Sequence, residues 1–384
     1  MKKLYGMTWD HPRGIEPLKA TTKKYEEEHP GISIEWNVRS LKDFEDYPIE
    51  LLVEKYDLIM MDHPFIGQGV KKEILEPLDN WFSKAFLREQ QKNSVGPSYK
   101  SYTWNGKQWA LAADAAAQVS AYRKDILKNM GSYIPQSWEE VFDLASELPD
   151  GKKIGLPLNP THSFTSFLTL CANIEGKGFW SEVNGINQTT GKESLNILQR
   201  LSSIVHEKSF FMNPIALLDF MAETEELVYS PLVYGYVNYS LPSFRNNIIH
   251  FSDMPSTHSL PAGSVLGGVG MMISAFSSFK HEAADYMKYL LSEKCQCGIY
   301  FKSGGQPGHR SAWKNSEVNK ESHGFFKNTL QTLDEAYVRP RFNGYPSFQE
   351  EAGELIHRAL IEKTNGSNTI DELNELYKKA KVKA

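Results

Sequence analysis

LYGMTWDHP at residues 4–12 and YDLIMMDHP at residues 56–64 set the fold class of this chain. Each stretch is a short apolar run typical of a strand, followed by the same tripeptide, at Asp10-His11-Pro12 and Asp62-His63-Pro64. The strands of an open, mostly parallel sheet present their carboxyl ends to one crevice, which is where such folds bind ligands. The repeat therefore predicts two acid–imidazole pairs that face one small molecule.

Strand and helix patterns alternate over this part of the chain. Helical periodicity at residues 15–28 follows the first strand, and apolar alternation at residues 32–36 follows the helix. A second helical stretch, residues 43–55, leads into the apolar run at residues 56–61, which is typical of a buried parallel strand. This βαβαβ order predicts an α/β lobe.

Length and composition narrow the possible functions. A chain of 384 residues is too long for one ordinary core, so we expect two lobes. The net charge of -5 and the lack of long Lys/Arg blocks argue against nucleic acid as a partner. No apolar run approaches the roughly 20 residues that a membrane-spanning helix needs. We therefore expect no membrane insertion, and a monomer.

The first residues bear on where the protein works. Lys2 and Lys3 are basic, but the first strand follows at once, without the apolar stretch and cleavage site of a secretory signal. The sequence as written predicts a cytoplasmic protein. If it is a trimmed mature form, the periplasm or the cell surface is the expected location.

Pro12 and Pro64 predict where two helices begin. Proline is favoured at the first helical position, so each predicts a helix N-terminus next to a histidine. Free backbone N–H groups and the positive end of the helix dipole would then face the crevice and favour a carboxylate or phosphate. Arg13 is expected to clamp the same anion through two hydrogen bonds.

The four side chains Asp10, His11, Asp62 and His63 admit three interpretations. They cap their helices, they contact a ligand, or they perform acid–base chemistry or bind a metal. Adjacent residues on an extended segment point in opposite directions, which disfavours a shared metal site. We therefore predict ligand contacts or capping, and no metal.

Further polar and aromatic residues complete the predicted site. Trp9, Tyr234 and Tyr236 offer flat faces for sugar C–H groups or rings, and Asn238 shares the strand face of the two tyrosines by the period of two. His162 follows a strand-like segment, as His11 does, and is expected at the crevice. Arg310 lies in a Gly/Pro-rich loop and is either an anion contact or a strut between lobes.

Several segments together resemble bacterial extracellular solute-binding proteins of family 1, the receptors of ABC importers. The resemblance lies in GGVGMMI at residues 267–273, SFKHEAA at 278–284, YLLS at 289–292, GGQPGHRSAW at 304–313 and YEEEHPGI at 25–32. It implies two α/β lobes of the type II periplasmic-binding-protein fold, each with a mostly parallel sheet flanked by helices, and a ligand cleft between them. By the same resemblance residues 1–112 plus 258–305 form the first lobe, and residues 113–257 plus 306–384 form the second.

The resemblance also implies a hinge and a function. Residues 112–116, AADAA, would be a crossing between lobes, which places Asp114 at the cleft. The implied function is capture of a small polar ligand, a carbohydrate or a small carboxylate, for ABC-type import, with transporter membrane subunits as partners. No cofactor is expected.

Two alternatives remain open at this point. One is a cytoplasmic enzyme on the same fold, with His11 or His63 as general base and Asp10 or Asp62 as the orienting group. The other is a ligand sensor without a transporter. Common catalytic motifs are missing from the sequence, which favours binding over catalysis.

Overall fold

The computed structural model describes residues 1–41 and 49–383, in which short strands alternate with helices. In chain order the strands are β1 (Lys2–Trp9), β2 (Ile32–Arg39), β3 (Leu58–Met61), β4 (Thr103–Trp104), β5 (Lys107–Gln108), β6 (Leu111–Ala112), β7 (Ala116–Tyr122), β8 (Lys153–Ile154), β9 (Trp180–Ser181), β10 (Gly185–Ile186), β11 (Leu227–Tyr234), β12 (His250–Ser252), β13 (Leu266–Gly267) and β14 (Gly270–Ile273).

The helices surround the strands. They are α1 (Pro12–Glu28), α2 (Glu50–Val53), α3 (Ile66–Lys71), α4 (Lys84–Asn93), α5 (Ser98–Ser101), α6 (Lys124–Met130), α7 (Trp138–Glu147), α8 (Pro160–Glu175), α9 (Gln188–Ile204), α10 (Pro214–Glu223), α11 (Lys280–Leu290), α12 (Glu293–Cys295), α13 (Arg310–Lys314), α14 (Ser316–Glu321), α15 (Phe325–Asp334), α16 (Tyr345–Glu362) and α17 (Gly366–Lys383). Tighter 3₁₀ turns cover His63–Phe65, Leu78–Asn80, Gly176–Phe179, Glu207–Phe211 and Val237–Ser240, and a π turn covers Gln296–Tyr300.

The first lobe is built on a five-stranded sheet in the order β2-β1-β3-β14-β6. β1 pairs in parallel with β2 and with β3, so the carboxyl ends of β1 and β3 lie at the same edge. All four residues of β3 are buried, and α1 packs Ile15, Leu18 and Tyr25 toward the core. The predicted βαβ order of the first residues is confirmed. Only part of the predicted helix at residues 43–55 can be compared, as α2, because residues 42–48 lie outside the described residues.

The second lobe is built on a sheet in the order β12-β7-β11-β8, and β13 also pairs with β7. Here β7 is antiparallel to β11, β12 and β13, and among the described strands of this sheet only β8 pairs in parallel, with β11. The two-lobed α/β fold is confirmed, but this sheet is not mostly parallel. The reason is that β7 carries the chain away from the first lobe whereas β11 and β13 carry it back toward the first lobe, so that neighbours run in opposite directions.

Three chain segments pass side by side between the two sheets. β6 belongs to the first sheet and β7 to the second, so the chain crosses at residues 113–115. This crossing exchanges backbone hydrogen bonds with Val269 on one side and with Gln306 and Gly308 on the other. The side chain of Gln306 adds two bonds, because its amide N–H donates to Ala115 O and its oxygen accepts from Val237 N–H.

The predicted lobe boundaries stay a prediction, and the pairing bears on one of them. Residues 266–267 still pair with β7 in the second lobe, whereas residues 270–273 pair with β3 in the first. This favours a return to the first lobe after residue 267 rather than at residue 258. No helix in the described part of the chain combines the length and the apolar character that crossing a bilayer requires.

Gly268 lies where two of the crossing segments pass close to each other. Its φ is +83°, and a Cβ there would lie 2.6 Å from Ala115 Cα and 2.7 Å from Asp114 O. Gly106, in the β4–β5 turn, has a φ of +73° and open space around it.

We therefore expect G268A to lower the free energy of unfolding by clearly more than G106A. G106A should cost about 1 kcal/mol from the left-handed backbone alone. G268A adds backbone clashes to that cost. Urea denaturation of both variants measures the difference, and equal losses would show that the crossing tolerates a side chain.

Candidate functional site

A cavity lies between the lobes. Its wall is formed by the carboxyl ends of β1 and β3, the crossing segments, the end of β11, the start of α8 and the segment after α15. The aromatic, charged and polar amide or imidazole side chains that line it are Trp9, Arg13, Asp62, Asp114, His162, Tyr234, Tyr236, Arg339 and Gln349.

Arg13 is held by Asp114 rather than left open for an anion. The guanidinium donates to both carboxylate oxygens, Nε to Oδ2 at 2.8 Å and Nη2 to Oδ1 at 2.6 Å. Both side chains are buried, at 4% and 0% exposed. The predicted bidentate clamp exists, but its partner is a carboxylate of this chain, so the predicted clamp on a ligand anion is wrong.

Arg13 also joins the two lobes. Its Nη1 donates to Gly235 O at 2.8 Å, just after β11, and its guanidinium lies 4.4 Å from the ring centre of Tyr236. Burial lowers the pKa of the guanidinium, but the adjacent Asp114 carboxylate raises it by more. Arg13 therefore stays charged, and its charge is used within the protein.

Trp9 reaches the cavity because a glycine lies beneath it. A Cβ at Gly14 would lie 2.6 Å from Trp9 Cδ2, so the first turn of α1 accepts the indole only without a side chain at this position. Trp9 is 3% exposed and packs with the core of the first lobe. Its position at the cavity wall is the one that the sequence predicts.

A second ion pair crosses the cleft between Asp62 and Arg339. Asp62 Oδ2 accepts from Arg339 Nη2 at 2.6 Å, and Gln349 Oε1 accepts from Arg339 Nη1 at 2.7 Å. Burial raises the pKa of Asp62, but Arg339 and His63 lower it by more, to about 2. Asp62 lies in the first lobe, whereas Arg339 follows α15 in the second lobe.

Arg339 and Gln349 were missed by the sequence analysis. Residues 337–341 read YVRPR and lie between two segments with helical periodicity. Two arginines that flank a proline indicate an ordered polar segment at this place. Nothing in that local pattern identifies Asp62 as the partner, because the two residues are 277 positions apart.

His162 and Tyr234 form the part of the cavity wall that the second lobe contributes through α8 and β11. Their rings lie 5.9 Å apart in an edge-on arrangement, and His162 Nδ1 is 2.7 Å from Asn159 Oδ1 at the start of α8. Burial, and then the charge of Arg339, lower the pKa of His162 to about 3. The imidazole is therefore neutral at physiological pH and presents a polar, uncharged edge. The predicted position of both residues at the crevice agrees with the structure.

His11 and Asp10 do not line the cavity. His11 caps α1 by accepting from Arg13 N–H at 3.0 Å, and its ring packs 4.8 Å from that of Tyr236. Burial, with the charges of Arg13 and Arg245, lowers its pKa to about 3. Asp10 is exposed. The predicted ligand contacts of both are corrected. The chain turns directly after Trp9, where His11 N–H donates to Trp9 O, and the imidazole folds back onto the start of α1.

His63 lies in the core of the first lobe. It is fully buried, its Nδ1 is 3.1 Å from Asp62 Oδ1, and burial lowers its pKa to about 4 although Asp62 opposes the shift. Asp62 Oδ1 accepts from His63 N–H as a cap of the 3₁₀ turn. The capping interpretation therefore applies to Asp62, whereas the His63 imidazole caps no helix. The two histidines proposed as general bases of an enzyme both lie away from the cavity.

Asn238 and Arg310 also lie elsewhere. β11 ends at Tyr234, and the turn that follows directs Asn238 Nδ2 to Gly304 O at 3.1 Å, so the shared strand face does not extend to Asn238. Arg310 pairs with Asp334, which also accepts from Gly96 N–H in the first lobe. The anion contact predicted for Arg310 is corrected, because its guanidinium is paired with Asp334. The pair fits the alternative prediction of a strut between the lobes, since Asp334 also accepts a hydrogen bond from the first lobe.

The charges at the cavity wall balance. Each arginine there is paired with one aspartate, Arg13 with Asp114 and Arg339 with Asp62, and the histidine is neutral. The helix N-terminus at Pro12 does not supply an anion site in the cavity, since His11 caps it. Among the described residues, no group of three or more His, Cys, Asp and Glu is placed to hold a metal ion.

This geometry defines a two-lobed binding protein with a site between its lobes, and the sequence comparison agrees. Residues 10–296 match the family described as bacterial extracellular solute-binding protein. The match spans well over half of the chain, so the protein belongs to this family of solute-binding proteins. The resemblance seen in the sequence is confirmed.

Solved structures share the fold over the whole chain. The maltose-bound MalE3 of T. maritima superposes with a TM-score of 0.83 at 18% identity, covering 98% of this chain and 99% of the other. A solute-binding protein of Agrobacterium radiobacter K84 in complex with ribitol gives 0.82 at 18%, covering 98% of both chains. One from Thermotoga lettingae bound to α-D-tagatose gives 0.83 at 18%, covering 99% and 100%. At this identity the likeness establishes the fold.

Removal of the Asp114 charge should destabilise the protein strongly. D114N leaves the buried Arg13 without a counter-charge, and we expect the free energy of unfolding to fall by about 3–5 kcal/mol. The control is E372Q, which breaks the half-exposed Arg358–Glu372 pair of 3.1 Å and should cost about 0–1 kcal/mol. Urea denaturation provides both values. A loss from D114N as small as that from E372Q would contradict the role assigned to this pair.

The buried neutral histidines should make stability depend on pH. The pKa values of His11, His63 and His162 are lowered by burial to about 3, 4 and 3, against about 6.5 in an unfolded chain. Below pH 6.5 the unfolded state therefore binds protons that the folded state does not. Stability should fall from pH 6.5 toward pH 4.5, by up to about 1.4 kcal/mol per pH unit for each histidine.

H63Q removes one of these groups and should reduce the slope by up to about 1.4 kcal/mol per pH unit. H281N, at an exposed position, is the control for loss of an imidazole. Urea denaturation at pH 6.5, 5.5 and 4.5 measures the slope. An unchanged slope in H63Q would mean that His63 takes up a proton in the folded protein.

Proposed function

We propose that this protein is a receptor for a small neutral polyhydroxyl solute, a sugar or a sugar alcohol, which it binds between its lobes and delivers to an ABC-type importer. The proposal includes a location outside the cytoplasmic membrane, in keeping with the family description of extracellular solute-binding proteins. The transporter membrane subunits would be its protein partners. The observation that carries the proposal is the interlobe cavity with aromatic walls and internally paired charges.

The chemistry of the wall supports a neutral ligand. A carboxylate or phosphate would need an uncompensated cation, but Arg13 and Arg339 each already face an aspartate. Paired charges still offer hydrogen-bond donors and acceptors, which suit hydroxyl groups that both donate and accept. We therefore propose the carbohydrate of the two ligand classes expected from the sequence.

Aromatic side chains support the same ligand class. Trp9, Tyr234 and Tyr236 all line the cavity. The C–H groups of a sugar pack well against such rings, while polar neighbours bind its hydroxyls. That the three fold relatives named above carry maltose, ribitol and tagatose is consistent with this chemistry.

Binding of maltose, ribitol and D-tagatose, followed by isothermal titration calorimetry, tests the proposal. We expect saturable 1:1 binding of at least one of them and none of L-glutamate or phosphate. Y234A removes an aromatic face from the cavity and should weaken the affinity for the bound probe at least tenfold. Y133A, at an exposed tyrosine outside the cavity, is the matched control and should bind as the wild type does. Folded protein that binds only the anions would contradict the proposal.

A further inference from the structure

One guanidinium nitrogen of Arg339 has no hydrogen-bond acceptor in the described part of the chain. Its side chain is 4% exposed and lines the cavity. Nη1 donates to Gln349 and Nη2 to Asp62, so two nitrogens of the guanidinium are held. The third, Nε, is buried without an acceptor among the described residues. A buried N–H left unsatisfied is costly, which indicates that something else accepts from it.

We propose that Arg339 Nε binds an oxygen of the ligand, and that Arg339 and Asp62 together recognise one ligand hydroxyl and set the preference for neutral over anionic solutes. This inference rests on the proposed function and assigns its polar contacts. A hydroxyl oxygen accepts from Nε–H and its own proton is donated to the Asp62 carboxylate, whose side chain is 18% exposed.

The same pair explains why a carboxylate would be rejected at this position. Its oxygens accept from Arg339 but have no proton for Asp62, so two negative groups would lie side by side in a poorly hydrated site. Asp62 is ionised, because its pKa is about 2. Specificity therefore arises from an aspartate that neutralises the arginine and repels anions.

The pair is also formed by both lobes. Asp62 follows β3 in the first lobe. Arg339 lies between α15 and α16, and the buried residues of both helices pack in the second lobe. A hydroxyl that contacts both groups is therefore bound by the closed arrangement of the lobes and stabilises it.

Arg341 provides a control from the same segment. Its Nη1 donates to Ser101 O at 2.7 Å and to Thr103 O at 3.0 Å in the first lobe, and it does not line the cavity. R339K and R341K each retain the positive charge but lose the guanidinium geometry. The two variants differ in one respect: R339K loses a donor proposed to contact the ligand, whereas R341K loses donors that bond to the backbone of the first lobe.

Calorimetry with maltose, ribitol and D-tagatose tests the contact. For the probe that the wild type binds, R339K should weaken affinity at least tenfold and R341K less than threefold. If the wild type binds a probe and the affinity of R339K for that probe is within threefold of the wild-type affinity, this inference is overturned. The proposed function then still stands. Wild-type protein that binds none of the three probes overturns the proposed function and this inference with it.

The preference for neutral ligands is tested by D62N. The bound probe is compared with its carboxylate analogue, maltobionate, D-ribonate or D-tagaturonate. D62N leaves the Arg339 charge uncompensated and should shift the affinity ratio at least tenfold toward the acid. D334N removes an aspartate from a pair outside the cavity and should leave the ratio unchanged. An unchanged ratio in folded D62N overturns the inference. If circular dichroism shows D62N unfolded, the R339K and R341K comparison decides.

Discussion

The buried ion pair between Arg13 and Asp114 is the interaction on which the arrangement of the two lobes depends. It joins the first helix of the first lobe to a crossing segment, and the same guanidinium donates to Gly235 O of the second lobe. Neither charge is tolerable at this depth without the other, since burial of an isolated ion costs several kcal/mol. One arginine thus fixes three parts of the chain, and the cavity wall forms around it.

The same rule governs the rest of the site. Asp62 and Arg339 form a second compensated pair from opposite lobes, and His162 is neutral because burial lowers its pKa. The wall is therefore rich in hydrogen-bonding groups yet has balanced charges. A site of this kind binds through the direction of its hydrogen bonds and through aromatic contact rather than through net charge.

The fold was more predictable from sequence than the site. Apolar alternation and the two Asp-His-Pro repeats are local patterns, and they placed the strand ends at Trp9 and Asp62 beside the cavity. The imidazoles nearby point elsewhere, because the chain turns at both places. His11 folds back to cap α1, and His63 lies in the 3₁₀ turn that Asp62 caps. The partners of Arg13 and Asp62 lie 101 and 277 residues away, and no local pattern records such distances. For that reason the arginine clamp was expected on a ligand, and Arg339 was missed.

The three crossing segments have a mechanical consequence. They lie side by side, and backbone hydrogen bonds together with the Gln306 amide tie them into one ribbon. A ribbon of this kind twists and bends as a unit, so one lobe turns relative to the other about a single shared axis. The gap between the lobes is then set by one angle, and the residues on its two sides approach each other or separate together.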